Sequence, residues 1–237
     1  LEVLLNEKAD SAAENTQTAA FIFEFDHLVA TIRDASFEVL QSIFDDVDLT
    51  PIHYSRFCLT NGPHKTIDIL QTGLGVKKGQ PKKVSEELVS GIKMHLESGN
   101  VQVSDALRNV IVQARERNMK VIGMTALPPQ ARDALADRLD LSGLGIELYP
   151  FSKEIDPFPK ADAWLRLTKE LEVHASSCLS LTTSAQSSKS SITADIPTIV
   201  FPDAFTTFQD FGGALDVLES LESVKLEDYL SHEITVA

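Results

Sequence analysis

Ala20-Phe21-Ile22-Phe23-Glu24-Phe25-Asp26-His27-Leu28 is a short apolar, aromatic run that ends in two carboxylates two residues apart. Residues 20–25 suit a strand buried on both faces of a parallel sheet, where no polar alternation is needed. Alternate side chains of a strand share a face, so Glu24 and Asp26 are expected to point to the same side of the chain.

Downstream, the pattern changes from strand to helix. From Ala35 to about Asn100 it predicts helices near 35–46, 63–73 and 84–98. Thr50-Pro51, Asn61-Gly62-Pro63 and Lys78-Gly79-Gln80-Pro81 punctuate them as connectors, and no strand is expected. An amphipathic helix follows, with Val103, Leu107, Val110, Ile111 and Ala114 on one face, Ser104 as N-cap, and Arg115 and Arg117 in the last turn. Strands are then expected at 120–124, 146–149, 178–182 and 198–201. Helices alternate with them at about 128–139, 161–171 and 185–194, and a last helical stretch is expected at 213–222. The fold class is therefore α/β: a Rossmann-like parallel sheet with helices on both faces, plus an inserted all-helical cap. The expected division is an N-terminal extension at 1–18, an α/β core at 19–34 and 101–237, and the cap at 35–100. Ligands of such sheets sit at the carboxyl ends of the strands. Glu24 to His27, Thr125, the approach at 156–162 and the stretch 182–191 are the places to inspect.

Composition narrows the function classes. With 43% hydrophobic residues the chain can bury a full core. Its formal charge of −14 argues against a nucleic-acid or anionic-membrane surface, since both need clustered Lys and Arg. A small anionic ligand remains compatible, because one local cation can hold a phosphate. No apolar run is long enough to span a bilayer. Leu1 to Ala20 has no basic start leading into an apolar core, so no signal peptide is read there and a cytoplasmic location is the default expectation. Cys58 and Cys178 fit no metal-binding spacing and read as buried free thiols. Thr72-Gly73-Leu74-Gly75 lacks the Gly-Lys-Ser/Thr ending of a phosphate loop. Trp164 reads as core packing, and Glu219, Glu222, Glu227 and Asp228 as a solvated acidic face.

The residues at the expected strand ends resemble the haloacid dehalogenase (HAD) superfamily, in its branch of β-phosphoglucomutase-like and sugar-bisphosphate phosphatases. Phe23-Glu24-Phe25-Asp26-His27-Leu28-Val29 stands where the family reads Asp-x-Asp-Gly. Val121-Ile122-Gly123-Met124-Thr125 matches its strand ending in Thr or Ser. The helix from Ala161 to Val173 matches the one that follows its Lys-Pro motif. Leu179-Ser180-Leu181-Thr182-Thr183-Ser184 stands in place of a strand followed by Glu-Asp-Ser. The stretch from Phe205 to Ala214 looks like the segment that ends the sheet in the sugar-bisphosphate phosphatase branch.

The resemblance implies Mg2+-dependent phosphoryl transfer at Glu24 as nucleophile position, Asp26 as acid/base position and Thr125 as phosphate-binding hydroxyl. It assigns the metal to Glu24 and Asp26, together with the acidic pair of the fourth motif. The departures are chemical. Glu24 carries one methylene more than the family's aspartate, which moves its carboxylate by roughly 1.5 Å, and misplacement near 1 Å costs about a hundredfold. His27 replaces the glycine. Counting back from Val173 puts Phe158 at the lysine position, with Lys160 two residues later as its only nearby substitute. Thr182 and Thr183 replace two carboxylates that a hard cation such as Mg2+ relies on.

Two functions stay open. One is a catalytically impaired or inactive relative that binds a phosphorylated small molecule or acts as a regulator. In that case Thr125, Lys160, Thr182, Thr183, Ser184 and Lys189 form a metal-free pocket mouth for phosphate, unless 182–191 is simply a solvated Ser/Thr loop. The other is an active Mg2+-dependent phosphatase or phosphomutase on a sugar phosphate, with Glu24 as an atypical nucleophile and a further carboxylate such as Asp203 on the metal.

Overall fold

A computed structural model describes residues 19–44, 49–58, 81–152 and 158–230. Six parallel strands form one sheet in the order β3-β2-β1-β4-β5-β6. They are β1 (Ala20–Glu24), β2 (Lys120–Thr125), β3 (Ile146–Pro150), β4 (Cys178–Thr182), β5 (Thr198–Val200) and β6 (Asp216–Val217). Every residue of β1 is buried, which explains its unbroken apolar run. Ala20 pairs with Lys120 on one side and Cys178 on the other, so the ends of β1, β2 and β4 lie level. The crevice between β1 and β4 is the switch point of this order, where connections leave in opposite directions.

Alternation along β1 decides which helices cover which face. Phe21 and Phe23 pack with Leu107, Val110 and Ile111 of α5 (Asp105–Glu116) and with Leu221 and Leu226 of the C-terminal segment. Ala20 and Ile22 pack with Ala163, Trp164 and Leu167 of α8 (Ala161–Leu171). Trp164 is core, as read, and its indole N–H donates to Ser190 Oγ at 3.0 Å. Ser104 caps α5 by accepting from the Leu107 N–H at 3.2 Å. On the β2 side lie α6 (Pro129–Arg138) and the short α7 (Leu141–Leu144). Cys178 is a buried free thiol, pushed up to about 11 by burial. Among the described residues no helix is long and apolar enough to cross a membrane.

Among the described residues, only helices come between β1 and β2: the single turn α1 (Phe25–Leu28), α2 (Ile32–Ile43), α3 (Pro51–Cys58) and α4 (Pro81–Glu97). They have a core of their own in Leu40, Phe44, Leu49, Tyr54, Val84 and Leu88. Phe205, from the loop after β5, completes it with ring centroids 4.9 Å from Phe37 and 5.1 Å from Tyr54. Thr31 enters α2 in the left-handed region, and its hydroxyl lies 2.9 Å from His95 Nε2 at the far end of α4.

Two expectations change. Pro51 starts α3 instead of marking a connector, because proline's fixed φ suits a first helical position. The helix expected at 213–222 is replaced by β6 and turns. Gly213 has φ +94°, and the Leu215 and Leu218 N–H groups donate to Thr198 and Val200 carbonyls of β5 at 2.8 and 2.7 Å. The i, i+3 spacing of the buried Leu218 and Leu221 imitated a helix, while edge pairing decided the backbone. The helix expected at 63–73, the 72–75 stretch and the N-terminal extension lie outside the described residues, as does the Cys58 thiol.

Candidate functional site

β1 ends at Glu24, and the next residue already belongs to the turn of α1. The backbone period therefore changes between the two carboxylates, and they do not share a side as strand geometry predicts. Glu24 keeps the face of Ala20 and Ile22 and turns to the β4 side. Asp26 turns to β2. Gly123 allows α1 to sit this close to β2, since a Cβ there would come within 3.2 Å of the Phe25 Cβ and 2.8 Å of Leu148 Cδ2. His27 lies inside α1, whose right-handed backbone requires no glycine.

On the β2 side, Thr125 Oγ1 donates to Asp26 Oδ1 at 2.5 Å and the Ala126 N–H donates to Oδ2 at 2.8 Å. Thr125 Oγ1 in turn accepts from the Leu127 N–H at 3.0 Å. Asp26 is half-buried. Burial pushes its carboxyl up to about 6, against the pull of these two donors, and the neighbouring Glu24 charge adds to the rise.

On the β4 side, Glu24 is 3% exposed. Its Oε2 accepts from the Thr183 N–H at 2.5 Å and from Thr183 Oγ1 at 2.8 Å. Its Oε1 accepts from Ser187 Oγ at 2.5 Å, on α9 (Ala185–Thr193). Burial raises the Glu24 carboxyl above its ordinary range, while the Arg33 charge and these donors oppose the rise. Arg33, on the first turn of α2, is buried; its Nη1 pairs with Asp203 Oδ2, and its Nη2 donates to Thr183 Oγ1 at 3.3 Å. Asp203 Oδ1 accepts from the Phe205 N–H at 2.8 Å and Thr206 Oγ1 at 3.0 Å.

The stretch 182–191 is not a solvated loop. Thr182, Thr183, Ser184, Ser187, Ser188 and Ser191 are all buried. Ser184 caps α9 by accepting from the Ser187 N–H at 3.3 Å. Ser191 lies 2.8 Å from Ser180 and 3.1 Å from Thr198, in a hydroxyl layer between α9 and the sheet. The buried Thr182 and Ser188 hydroxyls have no hydrogen-bond partner. Lys160 is exposed at the N-cap of α8, while Phe158, two residues earlier, is buried. Lys189 is exposed and lies 3.7 Å from Asp210.

The structure thus gathers Glu24, Asp26, Thr125, Thr183 and Ser184 at the expected strand ends, and it adds Arg33 and Ser187, which sequence reading missed. Both left a signal. A cation in the first turn of a helix opposes the macrodipole, so Arg33 needed a special partner. Ser184, Ser187, Ser188 and Ser191 recur at i, i+3, i+4 and i+7, the spacing of a buried helix face written in hydroxyls. Among the described residues no group of three or more His, Cys, Asp or Glu side chains is arranged to hold a metal ion.

No family model matches the chain. The CbbY protein of Cupriavidus necator is 24% identical over 217 residues, covering 85% of this chain and 85% of that protein. CbbY of Rhodobacter sphaeroides, solved in complex with phosphate, superposes with a TM-score of 0.63 at 18% identity, covering 88% of this chain and 96% of that one. A D10N mutant of that protein in complex with xylulose-1,5-bisphosphate gives 0.64 at the same identity and coverage. A HAD hydrolase of family IA from Entamoeba histolytica gives 0.66 at 14% identity, covering 90% of this chain and 98% of that one. Likeness at this level speaks for architecture rather than reaction, and the architecture of this chain is the haloacid dehalogenase-like fold that its strand-end residues resemble.

Proposed function

We infer that this chain is a catalytically silent protein of haloacid dehalogenase-like fold whose ligand is a phosphorylated small molecule, with the helices of 35–100 as its cap. One observation carries the silence: both oxygens of Glu24 already accept hydrogen bonds from Thr183 and Ser187, and the residue is 3% exposed. A nucleophile must bring a lone pair to within about 3–3.5 Å of the reacting atom. At Glu24 that approach would first require breaking bonds that hold β1 to the start of α9. Donated protons also draw charge from the oxygen that would attack. Asp26 keeps the acid/base position, and its raised carboxyl suits such work, but it has no displaced leaving group to serve.

The ligand class rests on relatives. CbbY of R. sphaeroides holds phosphate, and its mutant holds xylulose-1,5-bisphosphate. In this chain Thr182, Thr183 and Ser184 are turned inward, so the exposed Lys160 and the half-buried rim around Asp26 and His27 are the groups left to meet such a ligand.

The test is turnover and binding on the same preparation. With Mg2+ and a panel of sugar mono- and bisphosphates, the chain is expected to release no phosphate above the level of Glu24→Ala. Turnover that Glu24→Ala abolishes would overturn the silent reading in favour of Glu24 as an atypical nucleophile. Glu24→Asp with Thr182→Glu and Thr183→Asp restores the family acids and is expected to recover measurable phosphatase activity. Xylulose-1,5-bisphosphate is expected to raise the melting temperature equally with and without chelator, and a flat response across the sugar-phosphate panel would remove the ligand assignment.

A further inference from the structure

Arg33 stands where a cation is hard to keep. It lies in the first turn of α2, where the helix dipole is positive, and its side chain is 2% exposed. A guanidinium is buried only when its donors are matched, because it cannot shed its proton. Here they meet two elements at once. Nη1 pairs with Asp203 from the loop after β5, and Nη2 donates to Thr183 Oγ1 at 3.3 Å. Thr183 passes the interaction on, donating its own proton to Glu24 Oε2 at 2.8 Å. Guanidinium, hydroxyl and carboxylate are thus ordered as donor, relay and acceptor, with no clash of protons.

Every oxygen of Glu24, Asp26 and Asp203 already accepts from a protein donor, and Asp34 is a further carboxylate in the field of Arg33 and Asp203. Glu24 Oε1 and Oε2 are engaged by Ser187 and Thr183. Asp26 Oδ1 and Oδ2 are engaged by Thr125 and Ala126. Asp203 Oδ1 is engaged by Phe205 and Thr206, and its Oδ2 by Arg33. Mg2+ demands near-octahedral oxygen ligation at about 2.0–2.1 Å and dehydrates reluctantly. To enter, it would have to share these oxygens with protein donors and sit beside a permanent positive charge. The residues present do not fit the metal that the family resemblance implies.

We propose that the Arg33 guanidinium is the resident cation of this site, neutralising Glu24 and Asp203 in place of a divalent metal and keeping Mg2+ out. The assignment extends the silent reading of the site and rests on it for the premise that no metal-dependent step is required. It also gives Arg33 a second task. By holding Asp203 it fixes the turn at 203–206 that carries Phe205 into the core of the inserted helices, so the charge at the strand ends and the seat of those helices are set by one side chain.

Mn2+ titration of the full chain, read by the loss of the free-ion EPR signal, tests this directly. The wild-type chain is expected to show no Mn2+ site that Asp203→Asn removes, and its melting temperature should not respond to chelator. Arg33→Ala is expected to gain Mn2+ affinity by about tenfold or more, since it strips the cation from Glu24 and Asp203. Arg33→Gln keeps a donor for Asp203 and serves if the alanine variant does not fold. A one-to-one submillimolar Mn2+ site in the wild-type chain, lost in Asp203→Asn, would overturn the proposal. So would folded Arg33 variants with unchanged stability and unchanged Mn2+ affinity. The two readings fail separately: metal binding without turnover sinks only the resident cation, whereas chelator-insensitive turnover lost in Glu24→Ala sinks only the silent reading.

Discussion

The crevices on either side of β1 begin from the same strand and end as different environments. Between β1 and β2, a half-buried carboxylate faces a threonine hydroxyl and one backbone N–H, an arrangement that still leaves Asp26 partly in contact with water. Between β1 and β4, at the switch point where a ligand of such a sheet belongs, the chain supplies the contents itself. Glu24 reaches across, two hydroxyls and an amide close around it, and Arg33 balances the charge with Asp203. The length of the Glu24 side chain and the neutral Thr183 opposite it thereby fit one another. The Glu24 carboxylate fits because Thr183 and Ser187 present donors to it, and an acid at Thr183 would repel it. The difference is one of access: the first crevice holds a carboxylate that is partly exposed, while in the second Glu24 is buried among protein donors.

The comparison breaks most readily at Glu24. Glu24→Ala strips the acceptor from the Thr183 N–H and from the Thr183 and Ser187 hydroxyls, all buried, and leaves Arg33 with less counter-charge. The expected loss is about 3–5 kcal/mol of unfolding free energy, measured by urea titration. An open catalytic carboxylate would give the opposite result, a neutral or mildly stabilising substitution. Next in size is the ion pair. Arg33→Ala and Asp203→Ala are each expected to cost about 2–4 kcal/mol, below the range of a fully buried pair because Asp203 is 25% exposed. Their double-mutant cycle should show strong coupling. Additive losses would mean that the two groups act independently and that the closure of the β4 side does not depend on them.

Much of the fold was legible because strands and helices here follow hydrophobic period closely. β1, α8 and β4 lie where the pattern puts them, and the residues the resemblance singles out, Glu24, Asp26, Thr125 and Thr183, lie together at the strand ends. What could not be read was the change of period inside the motif. Glu24 and Asp26 look like one strand-borne pair, and only the turn of α1 sends them to opposite crevices. The serine-rich α9 was misjudged for a related reason: composition says solvent, whereas the spacing of its hydroxyls says buried face. β6 was missed because two residues of edge pairing leave almost no periodic signal.

The β2 side can be sharpened through pH. Asp26 has its carboxyl raised from 3.8 to about 6, so between those values the folded chain holds a proton that the unfolded chain has released. The unfolded state then binds fewer protons, and the contribution of Asp26 to stability falls as pH rises through this window. Asp26→Asn cannot titrate and can still accept from Ala126 while donating to Thr125. Its melting temperature is expected to match wild type near pH 4 and to exceed it at pH 7. A difference that is constant across this range would mean that Asp26 is solvated like any surface carboxylate.

The smallest expected effect separates the two crevices most cleanly. Thr182 Oγ1 is buried on the β4 side and has no hydrogen-bond partner. Thr182→Val replaces that hydroxyl by a methyl of similar shape, removing a desolvated polar group and breaking no hydrogen bond. A gain of about 1 kcal/mol is expected, with sugar-phosphate binding unchanged. At Thr125 the same exchange should do the reverse, since its hydroxyl both donates to Asp26 and accepts from the Leu127 N–H. If Thr182→Val instead abolished ligand binding, the hydroxyl would be facing a ligand and the β4 crevice would be open in solution. A stabilised, binding-competent variant would place the remaining chemistry of this chain on the β2 side, beside Asp26.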